Sequence, residues 1–182
     1  GFSTVHLSVT RNARSGEHSA LMLRAMGGRG EDLHDRHAPR FAERIGDVLS
    51  DALSDLDPDV VREALRATEA PVDPDLSPSA WRSVARMAYG PGLMDVDPRP
   101  FRALALKHLV DPEDPDRLTA REERLLVSKV LQARGWAETA EDLGYESRRQ
   151  CARATGQTFQ ALVDCYGTGA AIEEAARFRE ND

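Results

Sequence analysis

The residues best suited to chemistry lie near the carboxyl end: Thr139, then Ser147, Arg148, Arg149, Gln150 and Arg153. An arginine fork bonds a guanine edge through two parallel N–H donors, and a glutamine amide meets adenine in the same two-point way. Ser, Thr and Arg side chains also bond phosphate oxygens, which fix register without reading sequence. Just ahead of the cluster stand Ala140 and Gly144. A small residue lets two helices approach, and glycine takes the left-handed conformation a tight turn demands. This is the spacing of a helix-turn-helix whose second helix opens at Ser147. It would put Arg148, Arg149 and Gln150 at base edges, and Arg153, Ser147 and Thr139 at phosphates. The same residues also suit a tight corner inside a helical bundle with a solvated arginine face, and the sequence leaves both readings open.

The other reactive side chains do not assemble into a site. His34 and His37, beside Asp32 and Asp35, are three residues apart, but a glycine-rich approach and the want of a distant third ligand argue for solvated turn residues. His6, His18 and His108 have no nucleophile and acid arranged around them. The acid runs at 55–59 and 111–116 lack the glycine and terminal glutamate of a calcium loop. Gly27, Gly28 and Gly30 lack the lysine of a phosphate loop. Cys151 and Cys165 fall in what reads as one helix, which sets them about 21 Å apart along its axis, too far for a disulfide. Neither catalytic residues, a metal nor a cofactor is expected.

The elements that must position these residues are helical. Residues 38–56 carry Phe41, Ile45, Val48, Leu49, Ala52, Leu53 and Leu56 at three- and four-residue steps, one apolar helical face. Asp57-Pro58, Ser77-Pro78 and Asp97-Pro98 each pair a capping residue with a first-turn proline and open three further helices, the second running through Trp81 to Ala88. Thr119 with Glu122 forms a capping box for a helix that Gly135 stops. Short and long helices follow over 136–143 and 147–166, then a last one over 170–179 through Ile172, Ala175 and Phe178. Residues 17–26 read as a short helix, and residues 2–9 alternate like a half-buried strand with no obvious partner, hence an extended arm.

The expected fold is therefore all-α: a helical bundle followed by a helix-turn-helix region, with a short extended arm at the start. The expected division is an acidic helical region over 1–110 for oligomerisation or signal and partner binding, a stiff charged linker at 111–117, and the helix-turn-helix region over 118–182.

The 182 residues carry a net charge of -7, yet residues 118–167 balance seven basic against seven acidic side chains. That is less basic than a strong nucleic-acid binder, so any binding should be weak per subunit or aided by dimerisation. Only Lys107 and Lys129 are lysines, a bias toward arginine that suggests a GC-rich genome or a salt-adapted one. Mean hydropathy of -0.50 and the lack of a long apolar run argue against a membrane span. The opening residues show no basic segment followed by an apolar one, so a cytoplasmic location is expected.

The segments 118–122, 133–135 and 139–145 together resemble the output domains of LuxR-class regulators and the fourth region of bacterial sigma factors. The resemblance covers about 50 residues. It implies a positioning helix from Trp136 to Leu143 and a recognition helix from Ser147 to Thr158 in the major groove. The family usually buries Val or Ile early in that helix, where this chain has Gln150, with Cys151 the nearest apolar substitute. The function so implied is a non-enzymatic, DNA-binding transcriptional regulator, a homodimer or a protein held to a partner through its first region, with double-stranded DNA as ligand. The alternative is a helical adaptor that binds protein alone.

Overall fold

The computed structural model describes residues 1–51, 55–87 and 90–179. The expected core positions Ala52 and Leu53 and the helix end at Ala88 lie outside them, as do the side chains of Ala175 and Phe178.

The chain opens with a hairpin. Strand β1 (Ser3–Leu7) pairs antiparallel with β2 (Ala20–Leu23), Ser3 opposite Leu23 and Leu7 opposite Ala20, with a shift of register between Thr4 and His6. The chain is mostly helical as expected, but this small sheet departs from an all-α fold and corrects the lone arm and the helix over 17–26. Four consecutive apolar residues, Ala-Leu-Met-Leu, carry no period that separates helix from strand. The turn chemistry lies upstream, where the Asn12 carboxamide oxygen accepts from the amides of Arg14 and Ser15, and Gly16 takes φ +70°.

Helix α1 (Gly28–Leu49) begins ten residues earlier than its apolar face suggested and runs through Pro39. It carries His34 and His37, which are thus helix residues and not turn residues. His34 Nδ1 lies 3.1 Å from an oxygen of Asp35. Among the described residues no three His, Cys, Asp or Glu side chains are grouped to hold a metal ion.

Two of the three cap-and-proline devices work as their chemistry dictates, while at Asp97-Pro98 the proline itself takes the N-cap position and no side chain caps the helix. Asp57 accepts from the amide of Asp59 at 2.8 Å and opens α2 (Pro58–Arg66). Ser77 accepts from Ala80 at 3.2 Å and opens α3 (Pro78–Ala85). A single turn, α4 (Leu93–Val96), precedes α5 (Arg99–Val110). The Thr119 and Glu122 capping box starts α6 (Ala120–Leu125), which runs into a π-helical turn over Leu126–Leu131. Then come α7 (Trp136–Asp142), α8 (Arg148–Tyr166) and α9 (Gly169–Arg179).

One core joins both sides of residues 111–117: Ile45, Leu65 and Leu104 share it with Leu126, Leu131 and Phe159. The expected linker is a charged surface crossing and does not divide the packing. Phe101 of α5 meets Phe159 of α8 edge to face, ring centres 5.1 Å apart, with both side chains fully buried. Helix α8 packs on α3, α5, α6 and α7: its start sits through Cys151 on Leu125, Ala140 and Leu143, and its middle through Phe159 in the main core.

Among the described residues Glu123 and Lys129 bring charge into the interior. The Glu123 carboxylate, 2% exposed, is ion-paired by Arg66 and lies 3.7 Å from Arg62, both from α2. Nε2 of the buried His108 is 3.8 Å from the same carboxylate, and its Nδ1 is 3.0 Å from the Tyr166 hydroxyl. That hydroxyl also accepts the Glu113 amide at 3.4 Å, and Nε2 of His108 has no hydrogen-bond partner among the described residues. No helix among the described residues is long and apolar enough to cross a membrane.

Candidate nucleic-acid interface

The corner between α7 and α8 is built from residues far apart in sequence. Lys129, on the π turn, donates to the Arg134 carbonyl at 2.9 Å and lies 4.5 Å from the centre of the Trp136 ring, holding the start of α7. Burial pushes the Lys129 ammonium below its ordinary value, with Asp95 acting in the opposite direction. At the other end of α7, Gly144 takes φ +68° and the Tyr145 amide bonds back to the Ala140 carbonyl at 2.7 Å. Arg121 of α6 closes the corner. Its guanidinium donates to the carbonyls of Leu143 at 3.1 Å and Gly144 at 2.9 Å, and stacks 4.0 Å from the centre of the Tyr145 ring. A planar fork reaches two carbonyls and a ring face at once, which a lysine cannot do.

Helix α8 then starts on Ser147, whose hydroxyl oxygen accepts the Gln150 amide at 3.1 Å. The Gln150 side-chain oxygen accepts the Glu146 amide at 2.7 Å. Both side chains therefore serve the helix start first. Gln150 keeps its NH2 and a second lone pair of its oxygen for a ligand, with the side chain tied in place by the Glu146 amide. Thr139 is fully buried and its hydroxyl has no hydrogen-bond partner among the described residues. The phosphate contact assigned to it is corrected: it faces the interior of the corner.

Arg148, Arg149 and Arg153 are exposed. Among the described residues no carboxylate is within ion-pairing distance of these three. Arg149 and Arg153 line an open depression of about 580 Å³ with Ser147, Gln150, Ala152, Glu146 and Pro91. Two acids of α7 are held elsewhere, since Arg134 bonds Asp142 at 2.9 Å and lies 4.0 Å from Glu138. Beneath the arginines the apolar anchor is Cys151, packed with Leu125, Ala140 and Leu143, and burial pushes its thiol above its ordinary value. Cys151 and Cys165 are both free.

The arrangement offers three guanidinium forks on the first two turns of a 19-residue helix, where unpaired backbone N–H groups already favour an anion. Sequence reasoning found the arginines and missed Arg121, Lys129 and Arg134, which hold the corner. Nothing local marked them, because their partners lie across a turn or on the next helix.

No protein-family model matches the chain. Its likeness to known proteins nonetheless runs almost end to end. It is 54% identical over 179 residues to the tRNA(Met) cytidine acetyltransferase TmcA of Haloferax volcanii, covering 98% of this chain and 24% of that protein. The TmcA of Haloarcula marismortui is 45% identical over 177 residues, 97% of this chain and 23% of its own length. That of Nitrosococcus halophilus is 33% identical over 176 residues, 97% of this chain and 24% of its own. The chain thus spans about a quarter of the length of the curated relatives it matches. These relatives are named as RNA-modifying enzymes and cover the whole of what resembled a LuxR or sigma-factor segment. That resemblance is overturned, and with it the DNA-binding regulator, the non-enzymatic adaptor, the expectation of a protein outside enzymology and double-stranded DNA as the ligand.

Proposed function

We propose that this chain is the part of a tRNA cytidine acetyltransferase that grips RNA, with Arg148, Arg149 and Arg153 on phosphate oxygens and the hydroxyl of Ser147 and the NH2 of Gln150 beside them. The observation that carries the reading is the unpaired arginine face at the start of α8, on a chain alike over nearly its full length to proteins that act on tRNA. Phosphate is the ligand these groups suit, since a guanidinium fork bonds two of its oxygens in parallel. RNA helices hide base edges in a deep narrow groove, so backbone contacts carry much of the binding. Residues 118–182 supply this face, and residues 1–110 supply most of the core on which α8 rests. The net charge of -7 repels RNA elsewhere, which confines the contact to places where arginines stand clear of carboxylates.

The test is tRNA binding by a full-length polypeptide containing this segment, measured across a salt series, against an Arg148, Arg149, Arg153→Ala triple variant. Three lost phosphate contacts should lower the slope of log affinity against log salt by about 2 and weaken binding at least tenfold at low salt, with the melting temperature unchanged. A slope equal to that of the parent overturns the assignment.

A further inference from the structure

Strand β2 has the wrong surroundings for its sequence. An uninterrupted apolar run is the pattern of a strand covered on both faces, as in the interior of a sheet that is itself sandwiched. Among the described residues β2 has one neighbouring strand, β1. Its successive residues Leu21 and Met22 point to opposite faces, and they are 57% and 43% exposed. A two-stranded hairpin is marginal in water by itself, and an open apolar strand edge is a ready template for another strand. Around it Phe2 and Met26 are exposed near the strand ends, Phe2 with the Arg24 guanidinium 5.7 Å from its ring centre, and Val60 of α2 is exposed beside the sheet. Thr4, Leu7, Ala20, Met22, Val60 and Ala64 line an open groove of about 580 Å³ between the hairpin and α2. Contiguous exposed apolar surface of this kind marks an interaction site.

We propose that the outer edge of β2 and this groove seat a β-strand from the remainder of the acetyltransferase polypeptide, so that the hairpin is the margin of a larger sheet. The proposal rests on the reading of the chain as part of such an enzyme. The occupant follows from two observations. The relatives extend over about four times the length of their match to this chain, so most of their polypeptide lies beyond the bundle described here. The bare groups at β2 are a strand edge and two apolar faces, which a sheet with an apolar layer satisfies and a nucleic acid does not. The unpaired arginines of α8 lie in the α7–α8 corner, while the groove is largely apolar and, among the described residues, no arginine or lysine lines it to meet a phosphate.

Hydrogen exchange read by mass spectrometry, without RNA, tests it on the 182-residue chain and on the full-length polypeptide. The amides of Ala20–Leu23 that do not face β1 should exchange at least a hundredfold more slowly in the full-length protein, while those of α8 are equally protected in both. A Leu21→Asp, Met22→Asp double variant of the full-length protein should restore fast exchange at β2. Equal exchange of the β2 amides in chain and full-length protein overturns the proposal. So does protection in the 182-residue chain accompanied by a dimer mass in sedimentation, which would make a second copy the occupant. Since the wild-type comparison involves no RNA, it stands if the double variant fails to fold and is independent of whether the arginine face binds tRNA.

Discussion

His108 should make the stability of this protein depend on pH in a way one substitution removes. Its side chain is buried in the core, and burial first, then the nearby Arg66 charge, hold its pKa down to about 4 against an ordinary 6.5. The unfolded chain therefore binds this proton more readily than the folded one. The stabilisation is fully present above pH 6.5, falls as the pH drops, and levels off below about 4. The gap between the two values amounts to roughly 3 kcal/mol at its limit, and about 2 kcal/mol is already lost at pH 5. The assay is urea unfolding at a series of pH values on the parent and on His108→Gln, which keeps a polar group for Tyr166 and cannot titrate. Other groups act on both proteins, so the quantity that matters is the difference between them. That difference should change by about 2 kcal/mol between pH 7.5 and pH 5, with the parent losing more. A difference flat across that interval would show that the imidazole is not held neutral by the core.

Two further substitutions probe the frame under the arginine face. Phe159→Ala empties the edge-to-face contact with Phe101 at a fully buried site and should cost about 3–5 kcal/mol, read as a loss of denaturant midpoint at unchanged slope. Gly167→Ala would drive a Cβ into the Val163 carbonyl oxygen, so the junction of α8 and α9 must shift. It should lower stability by about 1–3 kcal/mol, checked by thermal melting, whereas an unchanged midpoint would mean the junction relaxes freely.

What could be read in the sequence was local chemistry within a few residues. Asp57-Pro58, Ser77-Pro78 and Thr119 with Glu122 each fixed a helix start, because a cap and the backbone N–H it accepts sit two or three residues apart. The start of α8 at Ser147 was legible for the same reason. Residue types alone could not say which way Thr139 turns, since a threonine serves equally at a phosphate or in a buried corner. The clamp from Arg121 to the Leu143 and Gly144 carbonyls spans more than twenty residues and leaves no pattern. Strand β2 was misread because its apolar run has no period, and the residues that would explain the run are not its neighbours here. The regulator reading failed for a related reason. Ala140 and Gly144 are what any close helical corner needs, so their spacing reports packing and carries no information about the ligand.

An acidic chain can still offer RNA a positive surface if its carboxylates are held elsewhere, and the carboxyl-terminal half is arranged that way. Glu123 is spent inside, on Arg62 and Arg66. Asp142 and Glu138 face Arg134. Glu122 closes the cap at Thr119. These acids stand in fixed pairs, which leaves the exposed Glu141 of α7 and Glu146, in the arginines' own depression, as the negative charge that Arg148, Arg149, Arg153 and the helix end must outweigh. The acid count of the whole chain measures its solubility and its repulsion of polyanions at a distance, whereas binding depends on which charges are unpaired within a few ångströms of the phosphate. A near-neutral stretch such as 118–167 is thus compatible with a specific RNA grip, and incompatible with the non-specific binding that a basic domain would show at any sequence.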